Sequence, residues 1–381
     1  MVAKSTTMKQ IALIVLSILG LSSNTYAQHT NHTITIGSES RDYIQYLPVG
    51  YNSATEQLPV LFILHGLGGN AAGMAGAGMN YIADTARIIL VYPQGVNNLF
   101  GQASWNNGTQ YISSTANDEG FFNALMDDYI ANFNADISRI YMTGLSMGSI
   151  MSHHMACKLN HRIAAIGAMS GTMATSDISY YTSNPLAYKT PVIHLHGTAD
   201  DVVPYDTNPL PSLSLVPETM AFWRNQHGCS TTSDSIRKPD IVNDTITVDQ
   251  FIYNNCTIDG AVELWRFNNA GHVYLYQPLN DITEGVEVWL FLRKWQHPNA
   301  SHLGISENSV DAITVYPNPS NGKINIKGTK NSSFYLYSID GHQIGNYNLN
   351  LDGTVDLSHL KPGIYFLHIE SINKRIKTII E

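Results

Sequence analysis

The stretch that decides the fold is Arg139-Ile-Tyr-Met-Thr-Gly144-Leu-Ser146-Met-Gly148-Ser-Ile-Met151. Apolar and polar side chains alternate up to Thr143, as in a strand, and apolar residues recur at helical spacing after Gly148. Between these segments, Ser146 stands two residues from a glycine on either side. A side chain at either glycine position would collide across so sharp a turn. The sequence therefore predicts a strand, a tight turn that exposes Ser146 and a helix, which is the form of a nucleophile elbow.

The alternation of strand-like and helix-like segments from residue 33 to residue 295 is typical of an α/β domain with a mostly parallel sheet. Residues 32–36 and 41–47 predict an opening antiparallel pair. Six short apolar runs predict strands covered on both faces, at residues 59–64, 88–92, 139–143, 163–169, 192–195 and 262–267. We expect Asp118 to be the N-cap of one helix and residues 283–295 to form a closing helix.

The two ends of the chain differ in texture from the α/β segment. Two early lysines, an apolar run over residues 11–21 and the small-residue site Thr25-Tyr26-Ala27 predict a signal peptide over residues 1–27. A membrane anchor is the alternative, but the run is short for a span, and no transmembrane anchor is expected elsewhere. Short alternating strands divided by Pro, Gly and Asn turns predict a small C-terminal all-β sandwich. The predicted order is a signal peptide (1–27), a catalytic α/β domain (28–297), a linker (298–310) and the sandwich (311–381).

Charge and cysteine content exclude several classes of protein. The chain has 30 acidic and 21 basic residues, and this excess repels phosphate backbones, so nucleic acid is not an expected partner. Three cysteines suit neither a disulfide-rich scaffold nor a cysteine-ligated zinc site. Cys229 and Cys256 flank a polar excursion and are predicted to form a disulfide, whereas Cys157 is predicted to be a buried free thiol. His194 and His196 share a strand face, but no third ligand follows at a metal-like spacing, which favours core histidines over a metal site.

A serine hydroxyl at neutral pH needs a general base within reach and a carboxylate that orients the base. In sheets of this kind the partners follow in the order serine, acid, histidine, each on a loop at the carboxyl end of a strand. A strand that runs into a polar turn offers Asp200 or Asp201, and the loop after the last strand ends in His272. We therefore predict that His272 is the base of Ser146.

Acyl transfer also needs two main-chain N–H donors for the oxyanion. We predict that one donor is the N–H of Met147, directly after the nucleophile. The other is predicted to be the N–H of Leu67, in the glycine-rich loop His65-Gly-Leu-Gly-Gly-Asn70. Trp105 and Tyr274 are predicted to line an aromatic cleft for the substrate, with buried packing as the alternative for each. No metal ion or organic cofactor is implied.

Together these segments resemble the polyhydroxybutyrate depolymerase and feruloyl esterase group of α/β-hydrolases across residues 32–296. The resemblance rests on Leu64-His65-Gly66-Leu67-Gly68-Gly69-Asn70, Ser104-Trp105-Asn106, Asp118-Glu119-Gly120-Phe121, the elbow, His196-Gly197-Thr198-Ala199-Asp200 with Val203-Pro204-Tyr205, and Gly271-His272. It implies the α/β-hydrolase fold, selects Asp200 over Asp201 as the acid and supports the pairing of Cys229 with Cys256. Two departures are Ser104, where cysteine is common, and Val273-Tyr274-Leu275-Tyr276, where the family commonly has Thr-Trp-Pro-Gly.

The tail is similar to the C-terminal sorting domain of type IX secretion in Bacteroidetes. The motifs are Val315-Tyr316-Pro317-Asn318-Pro319, Lys361-Pro362-Gly363-Ile364-Tyr365 and Lys374-Arg375-Ile376-Lys377. This resemblance implies the type IX machinery as a partner, and release from the cell or attachment to its surface. A carbohydrate-binding sandwich is the structural alternative.

The expected protein is a secreted or surface-bound serine esterase that hydrolyses carboxylic esters through an acyl-enzyme. Its expected partner is an ester-bearing polymer or oligomer: feruloyl or acetyl esters of plant polysaccharide, or an extracellular polyester such as polyhydroxybutyrate. A peptidase of the same fold and a non-catalytic surface binding protein are the alternatives.

Overall fold

The computed structural model describes residues 29–110, 112–257, 261–298, 314–327, 333–338, 343–350, 353–369 and 374–381. The chain divides into two compact units, Met1–Gly304 and Ile305–Glu381. The predicted signal peptide lies outside the described residues, as does the predicted linker apart from Pro298. In the described ranges, no helix has the length and apolar character needed to cross a bilayer.

The first unit is built on one ten-stranded sheet. Its strands are β1 (His29–Ile36), β2 (Glu39–Tyr46), β3 (Leu58–Leu64), β4 (Ile89–Pro93), β7 (Ala135–Leu145), β8 (Ala165–Met169), β9 (Val192–Gly197), β10 (Ser233–Arg237), β11 (Thr247–Tyr253) and β12 (Val262–Asn268), while β5 (Val96–Asn97) and β6 (Ala103–Ser104) form a separate hairpin. The helices are α1 (Ala71–Gly76), α2 (Asn80–Ala86), α3 (Asp118–Asn132), α4 (Met147–Lys158), α5 (Thr175–Ser183), α6 (Val216–His227) and α7 (Glu284–Leu292).

The strand order is β1-β2-β4-β3-β7-β8-β9-β12-β11-β10. The six strands from β4 to β12 in this order are parallel, and they correspond to the six apolar runs of the sequence. The antiparallel pairs β1–β2 and β11–β10 complete the two edges. This sheet confirms the predicted α/β fold, whereas the β10–β11 edge was missed because β10 is exposed along most of its length and carries no apolar pattern.

The core lies on both faces of this sheet. In β3 all seven residues are buried, with Val60, Phe62 and Leu64 in one apolar cluster and Leu61 and Ile63 in the other. Alternate side chains of a strand point to opposite faces, so each face of β3 is covered by helices. Burial of each such side chain stabilises the fold by about 1.5–3 kcal/mol.

Two predicted helix boundaries need correction. The N-cap of α3 is Asn117, whose side chain accepts a hydrogen bond from the Gly120 N–H, and Asp118 is the first helical residue. The Asp118 carboxylate is used elsewhere, in a buried ion pair with Arg41 at 2.6 Å. The closing helix lies where it was predicted but is shorter, since α7 begins after Thr283 and ends at Leu292.

The cysteines behave as predicted. Cys229 and Cys256 form a disulfide, and Cys157 is a buried free thiol.

The second unit consists of short antiparallel strands in a three-stranded and a four-stranded sheet, which is consistent with the predicted sandwich. Its core includes Ile324, Leu336 and Leu367. The strands are β13 (Thr314–Tyr316), β14 (Lys323–Lys327), β15 (Ser333–Ser338), β16 (Gln343–Asn348), β17 (Thr354–Asp356), β18 (Gly363–Ile369) and β19 (Lys374–Ile380).

Candidate active site

Ser146 occupies a strained turn between β7 and α4. Its φ of 58° and ψ of −119° are unusual for a residue with a side chain, and its N–H donates to the Met169 carbonyl at 2.8 Å. A Cβ on Gly148 would lie 2.3 Å from the Leu64 carbonyl oxygen, and a Cβ on Gly144 would lie 2.5 Å from the main chain of Gly148. The two glycines are therefore required by the close approach of the backbone on both sides of Ser146.

Asp200 follows β9 and is buried, with 5% of its surface exposed. Its Oδ1 accepts the N–H groups of Val202 and Val203 at 2.9 and 2.8 Å, and its Oδ2 accepts Nδ1–H of His272 at 2.8 Å. Burial by itself raises the pKa of Asp200, but hydrogen bonds from His196, His272 and Val203 outweigh burial and hold that pKa well below its usual value. The carboxylate is thus ionised and fully occupied as an acceptor.

The neighbouring Asp201 is exposed, so burial separates two aspartates that the chain places side by side. His272 is brought to Asp200 by the loop after β12. This loop crosses Gly197 closely, since a Cβ there would lie 2.3 Å from the Ala270 carbonyl oxygen. Because Nδ1 of His272 faces the carboxylate, Nε2 is the ring nitrogen left to exchange a proton with a substrate or a nucleophile.

The three residues follow the carboxyl ends of central strands, on the same side of the sheet. Ser146, Asp200 and His272 follow β7, β9 and β12, which are parallel strands in the order β7-β8-β9-β12. Among the residues that the structure describes, the Ser146 hydroxyl has no hydrogen-bond partner, whereas Asp200 and His272 are in direct contact.

The glycine-rich loop between β3 and α1 lies directly beside the serine. A Cβ on Gly66 would lie 3.3 Å from the Cβ of Ser146. The N–H of Leu67 makes no hydrogen bond to another described residue, and Met147 is the first residue of α4, whose N–H has no partner within the helix. Main-chain N–H groups that are not bonded within the protein are the kind of donor that an oxyanion requires.

His65 fixes this loop from within the protein. Its Nε2 accepts the Gly95 N–H at 2.9 Å, so its proton is on Nδ1, which lies 2.7 Å from the Gly66 carbonyl oxygen. Burial lowers the pKa of His65, which keeps the ring neutral in this tautomer. Gly68 is tied to the β5–β6 hairpin through the Ala103 carbonyl at 2.8 Å. The structure therefore supports bracing, rather than proton transfer, as the work of His65.

The prediction that Trp105 lines a substrate cleft is wrong. The side chain is completely buried, packs on the rings of His65 and Phe122, and donates its indole N–H to the His65 carbonyl at 2.9 Å. A bulky aromatic residue with a single polar group is best buried where that group finds an acceptor. From the interior of the protein, Trp105 thus fixes the start of the glycine-rich loop.

Tyr274, predicted to bind substrate, is partly buried and bonded within the protein, and its contact with substrate stays a prediction. Its ring packs against the apolar cluster under α7, and its hydroxyl accepts the Gly285 N–H at 3.0 Å, in the first turn of that helix. Burial raises the pKa of Tyr274 to about 12. The phenol thus satisfies a free donor at a helix end and anchors the loop that carries His272.

Sequence reasoning missed the part played by Arg41. Its guanidinium holds Asp118, and the other oxygen of Asp118 accepts the Asn106 N–H at 2.7 Å, directly after Trp105. The segments around residues 105 and 118 are therefore joined by one buried ion pair. No local signal in the sequence connects Arg41 to an aspartate 77 residues away.

His194 and His196 are fully buried, as predicted for core histidines, and His153, also fully buried, contacts His194. In the described ranges, no group of three His, Cys, Asp or Glu side chains could hold a metal ion.

The sheet and its covering helices have the α/β-hydrolase fold, and Ser146, Asp200 and His272 follow the parallel strands β7, β9 and β12. Residues 49–212 match the phospholipase/carboxylesterase family, and residues 314–381 match the secretion system C-terminal sorting domain. Both resemblances expected from the sequence are thus confirmed, and the sorting domain indicates a secreted or surface location.

The curated relatives include esterases and a depolymerase. The chain is 23% identical to a bifunctional acetylxylan esterase/xylanase of Neocallimastix patriciarum, over 65% of this chain and 33% of that protein. It is 26% identical to feruloyl esterase B of Piromyces equi, over 61% of this chain and 42% of the relative. It is also 26% identical to poly(3-hydroxyalkanoate) depolymerase C of Paucimonas lemoignei, over 56% of this chain and 54% of the relative. The chain therefore spans between a third and about half of these relatives.

Among solved structures, the chain is similar to the acetyl xylan esterase from Aspergillus awamori. That structure superposes with a TM-score of 0.48 at 15% identity, over 69% of this chain and 99% of the other.

Proposed function

We propose that this protein is a secreted serine esterase that hydrolyses carboxylic esters through an acyl-enzyme on Ser146. The observation that carries the proposal is the 2.8 Å contact between His272 and the buried Asp200, at the same sheet edge as the strained turn of Ser146. The match of residues 49–212 to a carboxylesterase family supports the same reaction class.

In the proposed reaction, Nε2 of His272 takes the hydroxyl proton as Ser146 Oγ attacks the ester carbonyl carbon. The carbonyl oxygen becomes an oxyanion, which the N–H groups of Leu67 and Met147 stabilise. As the C–O bond breaks, His272 returns the proton to the leaving alcohol and the acyl group remains on Ser146. A water molecule, deprotonated by His272, then releases the acid by the same steps. Asp200 holds the imidazole in its tautomer and stabilises the imidazolium.

The proposed substrates are feruloyl or acetyl esters on plant polysaccharide, or an extracellular polyester such as polyhydroxybutyrate. The names of the relatives, an acetylxylan esterase, a feruloyl esterase and a depolymerase, support this set. The sorting domain supports it too, because such polymers lie outside the cell. The chemistry needs no metal ion or organic cofactor.

The test compares the wild-type protein with Ser146→Ala and Ser152→Ala. Ser152 is a buried serine six residues later, within α4, so its variant controls for loss of a hydroxyl close to Ser146. We expect Ser146→Ala to lower kcat on 4-nitrophenyl acetate by about 10⁴-fold or more. Ser152→Ala should keep most of the activity.

A panel of methyl ferulate, acetylated xylan and polyhydroxybutyrate then identifies the acyl group. Full activity of Ser146→Ala would refute the proposal. Labelling of Ser146 by a fluorophosphonate without hydrolysis of any ester would favour a peptidase. Absence of labelling would favour a binding protein.

A further inference from the structure

Behind Asp200 lies a row of three buried imidazoles, His153, His194 and His196, which we call the histidine chain. The Trp223 indole N–H lies 3.0 Å from Nδ1 of His153, and Nε2 of His153 lies 3.3 Å from Nδ1 of His194. Nε2 of His194 lies 3.2 Å from Nδ1 of His196. All three imidazoles are fully buried, and adjacent rings in the row are nearly parallel, with centroids 5.5 and 5.3 Å apart.

The two ends of the row fix where its protons lie. An indole N–H can only donate, so Nδ1 of His153 is an acceptor and its proton is on Nε2. That proton makes Nδ1 of His194 an acceptor, and the same argument places the protons of His194 and His196 on Nε2. A second proton on any ring would set two N–H groups against each other. Burial lowers the pKa of His153 to about 3, which agrees with a neutral ring.

The last imidazole delivers its N–H to the loop of Asp200. Nε2 of His196 lies 2.8 Å from the Val203 carbonyl oxygen and 3.3 Å from Oδ2 of Asp200. The Val203 N–H in turn donates to Oδ1 of Asp200 at 2.8 Å. His196 therefore contacts Oδ2 of Asp200 directly, and it also bonds to Val203, whose N–H binds Oδ1 of Asp200.

We propose that His196 is a positioning residue for Asp200, and that Trp223, His153 and His194 lock it in the Nε2–H tautomer. This proposal deepens the proposed function and rests on it, because the orientation of Asp200 matters only if Asp200 orients His272. The histidine chain adds an N–H donor beside the carboxylate without adding a positive charge. A second imidazolium there would compete with the one that His272 becomes during the reaction. Because the rings are closed to water, the donor stays in place throughout the cycle.

The variants His196→Phe and His196→Gln separate the donor from the ring. Phenylalanine keeps an aromatic ring at the position and removes the N–H, whereas the glutamine amide N–H lies close to where Nε2 was. We expect His196→Phe to lower kcat on 4-nitrophenyl acetate by about 10- to 100-fold with KM changed less than about twofold. We expect His196→Gln to recover most of that loss. Circular dichroism establishes that each variant is folded.

A measurement on the wild-type protein tests the chain without any substitution. In ¹⁵N NMR of histidine-labelled protein, protonated and unprotonated ring nitrogens have well-separated shifts. We expect His153, His194 and His196 to be neutral with the proton on Nε2, and we expect His153→Phe to give a mixed tautomer at His196. A charged or Nδ1–H ring at His196 would overturn the proposal, as would a folded His196→Phe with unchanged kcat. If His196→Phe keeps full activity while Ser146→Ala is inactive, the proposed esterase function is retained and only the role of His196 is refuted.

Discussion

The indole N–H of Trp105 donates to the main-chain carbonyl of His65 at 2.9 Å, directly before the glycine-rich loop beside Ser146. His65 itself bonds to Gly66 and Gly95, so the entry to this loop is fixed from two sides. An oxyanion site works because its donors are already oriented when charge develops. The position of the Leu67 N–H thus depends on a buried tryptophan that never reaches the surface.

Trp105→Phe should lower kcat with little effect on KM. Phenylalanine retains most of the packing against His65 and removes only the donor to the carbonyl, so the loop loses its anchor. We expect kcat on 4-nitrophenyl acetate to fall by about 10-fold, which is less than the roughly 10²- to 10³-fold loss on removal of one oxyanion donor, because the Leu67 N–H is displaced and not removed. Steady-state kinetics of the purified variant measure the change.

Trp289→Phe is the matched control. Trp289 lies on α7, is 7% exposed, and its indole nitrogen has no hydrogen-bond partner among the described residues. Its replacement should leave kcat unchanged. An equal loss in both variants would indicate general destabilisation, and an unchanged kcat in Trp105→Phe would show that the loop does not need this anchor.

Asp200→Asn should reduce activity far more than Asp201→Asn. The two residues are adjacent, but only Asp200 is buried and bonded to His272. An asparagine can present its amide group to His272 and favour the wrong tautomer, which costs about 10³- to 10⁴-fold in kcat in comparable sites. Asp201→Asn removes an exposed charge and should change kcat by less than about twofold. A comparable loss in Asp201→Asn would reassign the acid.

The sequence predicted those features that depend on local pattern. The elbow around Ser146 needs only its two glycines and the periodicity on either side, and the six parallel strands need only their apolar runs. The disulfide between Cys229 and Cys256 was predicted because the two cysteines flank a polar excursion in a protein expected to be exported. Residue pattern alone left Asp200 and Asp201 open. The family resemblance selected Asp200, which is the aspartate that the structure buries.

Features that depend on distant partners could not be predicted in this way. The direction in which Trp105 faces is decided by the carbonyl of a residue 40 positions earlier. Tyr274 is turned inward by a free N–H at the start of α7, which no pattern around the tyrosine reveals. The buried pairing of Arg41 with Asp118 likewise exists only after the sheet and α3 have packed together. Aromatic composition alone therefore predicted a cleft, without showing that Trp105 and Tyr274 each make a hydrogen bond to a neighbouring main-chain segment.

Glu284 binds the loop after His272 and makes the free energy of unfolding depend on pH. It is fully buried in the first turn of α7, with Oε1 accepting the Leu275 N–H at 2.7 Å and Oε2 without a partner among the described residues. Burial raises the pKa of Glu284 from 4.5 to about 8, although the Leu275 hydrogen bond opposes this. The folded protein therefore keeps a proton that the unfolded chain loses.

The sign of the effect follows from this difference in bound protons. Between pH 4.5 and about 8 the native state holds more protons than the unfolded state, so the free energy of unfolding falls as pH rises through that window. Glu284→Gln has no proton to lose and should escape this fall. We expect its Tm, relative to wild type, to rise by about 3–8 °C between pH 5 and pH 8 in scanning calorimetry.

Glu119→Gln is the control, because Glu119 also lies in the first helical turn, at the start of α3, but is exposed. Its Tm should follow the wild-type pH dependence. Parallel curves for Glu284→Gln and wild type would show that Glu284 is ionised in the folded protein. In that case the Leu275 N–H would be bonded to a carboxylate, and the loop after His272 would be held by charge rather than by a neutral acid.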